Sequence, residues 1–123
     1  MHKKLFAIGT TAATLVAGAI MMGAPEASAA AGDCPSGATC AWTGVNFTGS
    51  MGPVWGNNTN DKQYATWANV ESVGNNGTQC EDWVFQNENY GGASFGIQIG
   101  YVSSNLSGTW AWHHLWSNHW CNP

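Results

Sequence analysis

The sequence contains no arginine and only three lysines, two of which, Lys3 and Lys4, lie at its N-terminus. In the 94 residues from Ala30 to Pro123, Lys62 stands against six acidic residues, which gives a net charge of −5. Nucleic acids and anionic membranes are bound through cationic side chains. This charge balance argues against both as partners.

Sequence patterns of catalysis are also missing. No G-x-S-x-G motif is present, and beyond Ala29 every histidine falls between His113 and His119. The acidic residues that could form a glycosidase pair, Glu81, Asp82 and Glu88, cluster in one region of a short chain that leaves little room for a substrate cleft. An activated nucleophile or acid–base pair is therefore not expected. The sequence predicts a protein that is not an enzyme.

Metal-ligand patterns are sparse as well. No two cysteines show C-x-x-C spacing, so a zinc site is not expected. His113 and His119 would share a face in a strand, as transition-metal ligands do. However, they lie among tryptophans and have no carboxylate in their segment, which favours packing on aromatic rings. We expect neither a metal nor a cofactor.

An export signal occupies the N-terminus. Two lysines precede an apolar run from Leu5 to Met22, and Ala27-Ser28-Ala29 then matches an A-x-A cleavage site. Glycine and threonine interrupt the run, which disfavours a membrane anchor. We predict a signal peptide over residues 1–29 and a secreted, extracellular domain over residues 30–123. No second apolar run follows, so no membrane association is expected after cleavage.

All four cysteines lie in the predicted secreted domain, where disulfides are the default. Four cysteines allow three pairings. Pro35-Ser36-Gly37 supplies a turn that favours Cys34 with Cys40, which leaves Cys80 with Cys121.

Eight tryptophans also lie in this domain, more than a small core can hide. We expect four of them inside, namely Trp42, Trp67, Trp83 and Trp110. Some of the remaining four are expected outside: Trp55, Trp112, Trp116 and Trp120.

Glycine and asparagine punctuate the domain every eight to twelve residues, which indicates short strands and turns. Alternating apolar side chains predict a strand over Ala93–Ile99, with shorter strands at Cys40–Trp42 and Trp83–Phe85. Gly74–Thr78 is predicted to connect two halves, at about 38–76 and 80–121.

The two halves repeat one pattern at an offset of 43 residues. The matched pairs are Trp42 with Phe85, Asn46 with Asn89, Phe47 with Tyr90, Gly49 with Gly92, and Trp67 with Trp110. The spacing suits a folded-over hairpin in which a ring packs over a glycine of positive φ.

This pattern resembles the Greek key motif of the βγ-crystallin superfamily. Its signature of two aromatic residues, a glycine and a later serine is found twice: Trp42, Phe47, Gly49 and Ser72, then Phe85, Tyr90, Gly92 and Ser117. The start of the domain, Cys34–Ser50, resembles exported actinobacterial proteins of peptidase inhibitor family I36, whose best-known type is a metalloproteinase inhibitor. The resemblance implies an all-β double Greek key sandwich, here stapled by disulfides, and a secreted protease as partner.

Calcium binding, which is common among microbial relatives, is not expected. When Ser72 and Ser117 are taken as the final serines of the calcium motifs, the other ligand positions hold tryptophan, alanine, histidine and Glu71 rather than the required set.

The inhibitory loop implied by the resemblance is Gly77–Asp82, because Cys80 can tether it and it follows the connector. Its candidate contact residues are Thr78, Gln79, Cys80, Glu81 and Asp82. The domain is expected to act as a monomer.

Two alternatives remain open. The first is an antimicrobial-type module that binds cell-wall polysaccharide through an aromatic patch of Trp112, Trp116 and Trp120. The second is a structural protein of the cell surface without a ligand.

Overall fold

The computed structural model describes residues 29–121, which form two antiparallel sheets with short helical turns between the strands. The predicted signal peptide lies outside the described residues except for Ala29. The strands are β1 (Thr39–Gly44), β2 (Thr48–Val54), β3 (Ser72–Asn75), β4 (Asp82–Asn87), β5 (Gly91–Ile97), β6 (Val102–Ser103) and β7 (Ser117–Trp120). The helices are α1 (Ala29–Gly32), α2 (Ala65–Ala68) and three 3-10 turns, Val45–Phe47, Asp61–Gln63 and Glu88–Tyr90.

Each sheet combines strands from one half with a short segment from the other. The first sheet has the order β2-β1-β3-β6, so β6 of the second half pairs with β3 of the first. The second sheet has the order β5-β4-β7, and Asn58 of the first half forms a bridge to Asn118 of β7. The halves are therefore interlocked through their backbones, and neither sheet is complete without the other half.

The main core fills the space between the sheets. Its buried members are Ala41, Val54, Trp67, Val70, Val73, Val84, Ile97, Leu106, Ala111 and Leu115. A second cluster, on the other face of the first sheet, contains Ala31, Cys34, Ala38, Cys40, Trp42, Phe47 and Val102. The N-terminal segment thus covers the outside of the first sheet, which explains why β1 is buried on both faces from Thr39 to Trp42.

Two predicted boundaries were wrong. The strand predicted over Ala93–Ile99 runs over Gly91–Ile97, because a turn follows in which Tyr101 N–H donates to Gln98 O and Gly100 has φ 81°. The predicted connector Gly74–Thr78 begins inside β3. A side chain at Gly74 would meet Val102 within 2.8 Å, so this glycine is a packing residue and not a turn residue.

The tryptophans divide largely as predicted, with one error. Trp42 and Trp67 are buried, Trp110 is partly buried against the main core, and Trp55 is 55% exposed. Trp83 was expected inside but is only half-buried. It alternates with the buried residues Asp82 and Val84, so it points outward from the second sheet.

Within residues 29–121, no helix combines the length and apolar character needed to cross a membrane.

Candidate functional site

The two Greek key corners have nearly identical geometry. Trp42 and Phe47 pack with ring centroids 5.1 Å apart, and Phe85 and Tyr90 with centroids 5.4 Å apart. The backbone turns through positive φ at the residue pairs Asn46–Phe47 (57° and 61°) and Asn89–Tyr90 (58° and 63°). The glycines two residues further on, Gly49 and Gly92, have φ of 79° and 78°. The repeat seen in the sequence is therefore a repeat of backbone conformation.

A serine closes each corner. Ser72 Oγ donates to Gly44 O at 2.7 Å and accepts from Phe47 N–H at 3.0 Å. Ser117 Oγ repeats both bonds, donating to Asn87 O at 2.6 Å and accepting from Tyr90 N–H at 2.9 Å. The two hydroxyls are thus committed to holding the fold.

Both predicted disulfides are confirmed. Cys34 bonds Cys40 across a Cα–Cα distance of 5.9 Å, and Cys80 bonds Cys121 across 5.1 Å. The first closes a short loop beside β1. The second joins the segment between the two halves to the end of β7.

Hydrogen bonds hold the predicted inhibitory loop at both ends. Asn75 Oδ1 accepts from Gly77 N–H at 2.6 Å, and Asn75 Nδ2 donates to Ile97 O at 2.7 Å. Asn76 Nδ2 donates to Cys34 O at 2.7 Å, which ties the loop to the first disulfide. After the loop, Cys121 N–H donates to Glu81 O at 2.9 Å.

The loop residues differ in what they offer a partner. Thr78 and Gln79 are exposed, whereas Cys80 and Glu81 are half-buried. Glu81 Oε2 accepts from Trp83 Nε1 at 2.9 Å, so its carboxylate already has a partner. Asp82 was predicted as a contact residue, but it begins β4 and is fully buried. The accessible loop is therefore Thr78–Glu81.

A cavity of about 320 Å³ opens beside this loop. It is lined by Gly37, Gly56, Asn57, Thr78, Gln79, Cys80 and Trp120. The exposed Trp55 adjoins it, with its Nε1 donating to Ser36 O at 3.3 Å. One end of the molecule thus gathers the loop, an exposed indole and both disulfides.

Two of the tryptophans predicted as an aromatic patch share a neighbour, because Trp116 Nε1 donates to the carbonyl of His113, on which Trp112 stacks. Trp112 stacks on His113 at 4.8 Å, and Trp116 stacks on His114 at 4.0 Å. Trp120 packs against Gly77 beside the loop. All three indoles are half-buried.

The histidines pack on aromatic rings, as expected, but one detail was wrong. His113 lies outside the strands with φ 60°, whereas His119 is in β7, so they do not share a strand face. His113 Nε2 lies 2.9 Å from the carboxylate of Glu71, which belongs to a different segment of the chain. Among residues 29–121, no group of three or more His, Cys, Asp or Glu side chains is arranged to hold a metal ion.

Sequence reasoning missed the asparagines that brace the loop and the sheets. Asn75 and Asn118 are both fully buried. They do not occupy equivalent positions in the two halves, because Asn75 pairs with Thr39 whereas Asn118 pairs with Val84, so the repeat gave no signal for them. Asn118 Nδ2 donates to Gly56 O at 3.0 Å and to both carboxylate oxygens of Asp82 at 3.0 and 3.1 Å.

Comparison with solved structures defines the class of the fold. A βγ-crystallin structure solved to trace the evolution of the eye-lens domain fold gives a TM-score of 0.63 at 17% identity, covering 85% of this chain and 99% of that chain. A βγ-crystallin from Ciona intestinalis gives 0.55 at 19% identity, covering 69% and 100%. An archaeal βγ-crystallin gives 0.56 at 14% identity, covering 71% and 100%. At these identities the likeness shows the fold alone, and that fold is the βγ-crystallin domain.

Residues 27–97 match the model of peptidase inhibitor family I36. The match spans more than half of the sequence, and the chain belongs to this family. No curated protein gives a significant match. Family membership supports peptidase inhibition as the general activity and a protease as the general kind of partner. Together with the two disulfides, it also favours an extracellular location.

Proposed function

We propose that the protein is a secreted inhibitor of a metalloprotease and that Thr78–Glu81 enters the protease cleft. The observation that carries the proposal is the tethering of this exposed segment on both sides. Asn75 and Asn76 fix its start, and the Cys80–Cys121 disulfide fixes its end. Family membership supports the inhibitory activity, and the metalloprotease class follows the best-known type of the family.

The tethers favour inhibition over cleavage for a physical reason. A loop already ordered in the free protein loses little conformational entropy on binding, so more of the contact energy becomes affinity. If the protease cuts near Cys80, the disulfide retains the new end beside β7, and the fragments stay in place. Reduction removes this restraint, and the same segment becomes an ordinary substrate.

The test is a titration of a secreted thermolysin-like metalloprotease, with a subtilisin-like serine protease in parallel. Oxidised protein should reduce activity of the metalloprotease with a saturable, roughly stoichiometric dependence, whereas reduced protein should be cut. Cys80→Ser should weaken inhibition strongly because it frees the end of the loop. Glu88→Gln is the matched control, since Glu88 lies in the turn of the second Greek key, and it should inhibit like the parent.

Two outcomes would count against the proposal. If micromolar oxidised protein slows neither protease, the protein is not an inhibitor of these two protease classes. Inhibition of the serine protease alone would retain the inhibitor but reject the metalloprotease class.

Sugar binding by Trp112, Trp116 and Trp120 is less well supported. Each ring is half-buried, and two of the rings already have a stacked or charged neighbour: Trp112 stacks on His113, and Lys62 Nζ lies 4.2 Å from the centroid of Trp116. A sugar platform needs an open ring face, and the indole that is most exposed is Trp55 instead.

A further inference from the structure

Two carboxyl groups, one from each half of the molecule, are buried in the interior. Asp61, in the 3-10 turn Asp61–Gln63, and Asp82, at the start of β4, both have 0% exposure. Neither oxygen of Asp61 has a hydrogen-bond partner. Burial of an ionised carboxylate without a partner is very costly, so such groups usually take up a proton.

No cationic group among the described residues neutralises this pair. Lys62 follows Asp61 directly, but its Nζ lies over the ring of Trp116. His119 lies opposite Trp83 in the sheet, so its side chain points to the face away from Asp82. Glu81 precedes β4, and its carboxylate accepts from Trp83 Nε1 on that same face. The ion pair found in residues 29–121 joins Glu71 and His113 and involves neither aspartate.

The groups that do face the pair are neutral. Asn118 of β7 donates to both oxygens of Asp82. The hydroxyl of Thr39, on β1, lies near the same carboxyl, although it completes no hydrogen bond of ordinary geometry. The side-chain dipoles of Asn118 and Thr39 replace only part of the stabilisation that water gives to an ionised carboxylate.

The pKa of each carboxyl changes accordingly. Burial, together with the charge of Asp82, raises the pKa of Asp61 to about 8. Burial raises the pKa of Asp82 to about 7, although Asn118 and Thr39 act to lower it. The effect of the Asp82 charge on Asp61 means that the two carboxyls lie within electrostatic range of each other.

The pair lies at the root of the accessible loop. Asp82 directly follows Glu81, and its partner Asn118 lies on β7, which ends beside Cys121. Asp61 N–H donates to Trp116 O at 2.7 Å, so the first half is joined to the second at this point. The charge state of the pair therefore acts where the halves and the loop meet.

We propose that Asp61 and Asp82 form a buried proton-binding site that joins the two halves and that ionisation of both carboxyls destabilises this junction and the loop above it. The effect on folding stability is independent of the proposed function. An effect on inhibition rests on that function.

The direction of the pH dependence follows from the raised pKa values. The carboxyl of an unfolded aspartate has a pKa of 3.8. In the folded protein the pKa is about 8 for Asp61 and about 7 for Asp82. Between these values the folded state binds more protons than the unfolded state, so stability falls as pH rises. The stabilisation is complete below about pH 4 and is lost by about pH 8.

The experiment is thermal unfolding of the oxidised secreted domain from pH 5 to pH 9. The melting temperature of the parent should fall by several degrees across this range. Asp61→Asn and Asp82→Asn each remove an ionisable group without changing its shape, so each should flatten the dependence. Asp33→Asn, at an exposed position, should keep the parental slope. A parental melting temperature that is constant or rises with pH would overturn the proposal.

A second measurement needs no variant. At about pH 6 the exposed carboxylates are ionised, so an infrared band of protonated carboxyl should report the buried pair and disappear near pH 9. Absence of this band at pH 6 would overturn the proposal.

A third measurement compares melting temperatures with and without millimolar calcium chloride. Stabilisation of the parent that is lost in Asp61→Asn would overturn the proposal, because the pair would then bind a cation rather than protons.

Discussion

At the scale of single residues, the two corners depend on positions where an ordinary side chain is strained. Asn46, Phe47, Asn89 and Tyr90 have positive φ, and asparagine tolerates this better than most residues. The signature glycines add a steric requirement. A Cβ at Gly49 would clash with Thr43 Oγ1, and a Cβ at Gly92 would lie 2.7 Å from Asn87 Nδ2.

Gly49→Val and Gly92→Val should therefore each lower the free energy of unfolding by about 1 to 3 kcal/mol. The reason is the combination of positive φ with a close neighbour, which a β-branched residue cannot relieve. Thermal or denaturant unfolding measures the effect. Gly32→Val is the control, because nothing lies within 4 Å of a Cβ at that position. Parental stability in both corner variants would contradict the function given to the glycines.

Residue-scale prediction succeeded where spacing carried the signal. The aromatic pairs and the glycines of both corners were found from their offset, and the serines from the resemblance to the βγ-crystallin motif. Asp82 was misplaced because its type suggests a surface loop, and its burial follows from Asn118, which is distant in sequence. Trp83 was misplaced for a related reason, since hydrophobicity does not tell which face of β4 is covered.

At the scale of elements, the serine bonds determine how each corner closes over its sheet. Ser72 and Ser117 lie in the last strand of their halves, β3 and β7, yet they hold the first turn of the same half. These contacts join residues 25 and 27 positions apart in sequence. The pairing of β6 with β3 and the bridge from Asn58 to Asn118 then join the two halves.

Ser72→Ala and Ser117→Ala should lower the free energy of unfolding by similar amounts, about 1 to 3 kcal/mol each. Each change leaves one backbone N–H and one carbonyl without a protein partner. Chemical denaturation compares the two variants with Ser107→Ala, which alters an exposed serine. A large loss in one corner and none in the other would mean that the corners are not equivalent in energy.

At the scale of the whole molecule, the repeat predicted an internal duplication, and its resemblance to the βγ-crystallin motif predicted a double Greek key. The cysteines were sufficient to predict the two disulfides. The pairing of β6 with β3 could not be predicted from the sequence, because a strand of two residues shows no periodicity. The aromatic patch stays a prediction, and closeness in sequence does not give the neighbours of its members: Trp112 and Trp116 both contact His113, whereas Trp120 packs against Gly77. Cys80 indicated the loop that is proposed to inhibit, but the hydrogen bonds at the start of this loop come from the side chains of Asn75 and Asn76.

The most direct test of the central claim is amide hydrogen exchange of the oxidised protein, free and bound to its protease. Exchange at Thr78–Glu81 should slow on complex formation, because this segment is proposed to enter the cleft. Exchange at Ser107 and Gly108, two exposed residues on another loop, should stay unchanged. Protection at that turn with no change at Thr78–Glu81 would contradict the account, since the protease would then be bound through a different surface.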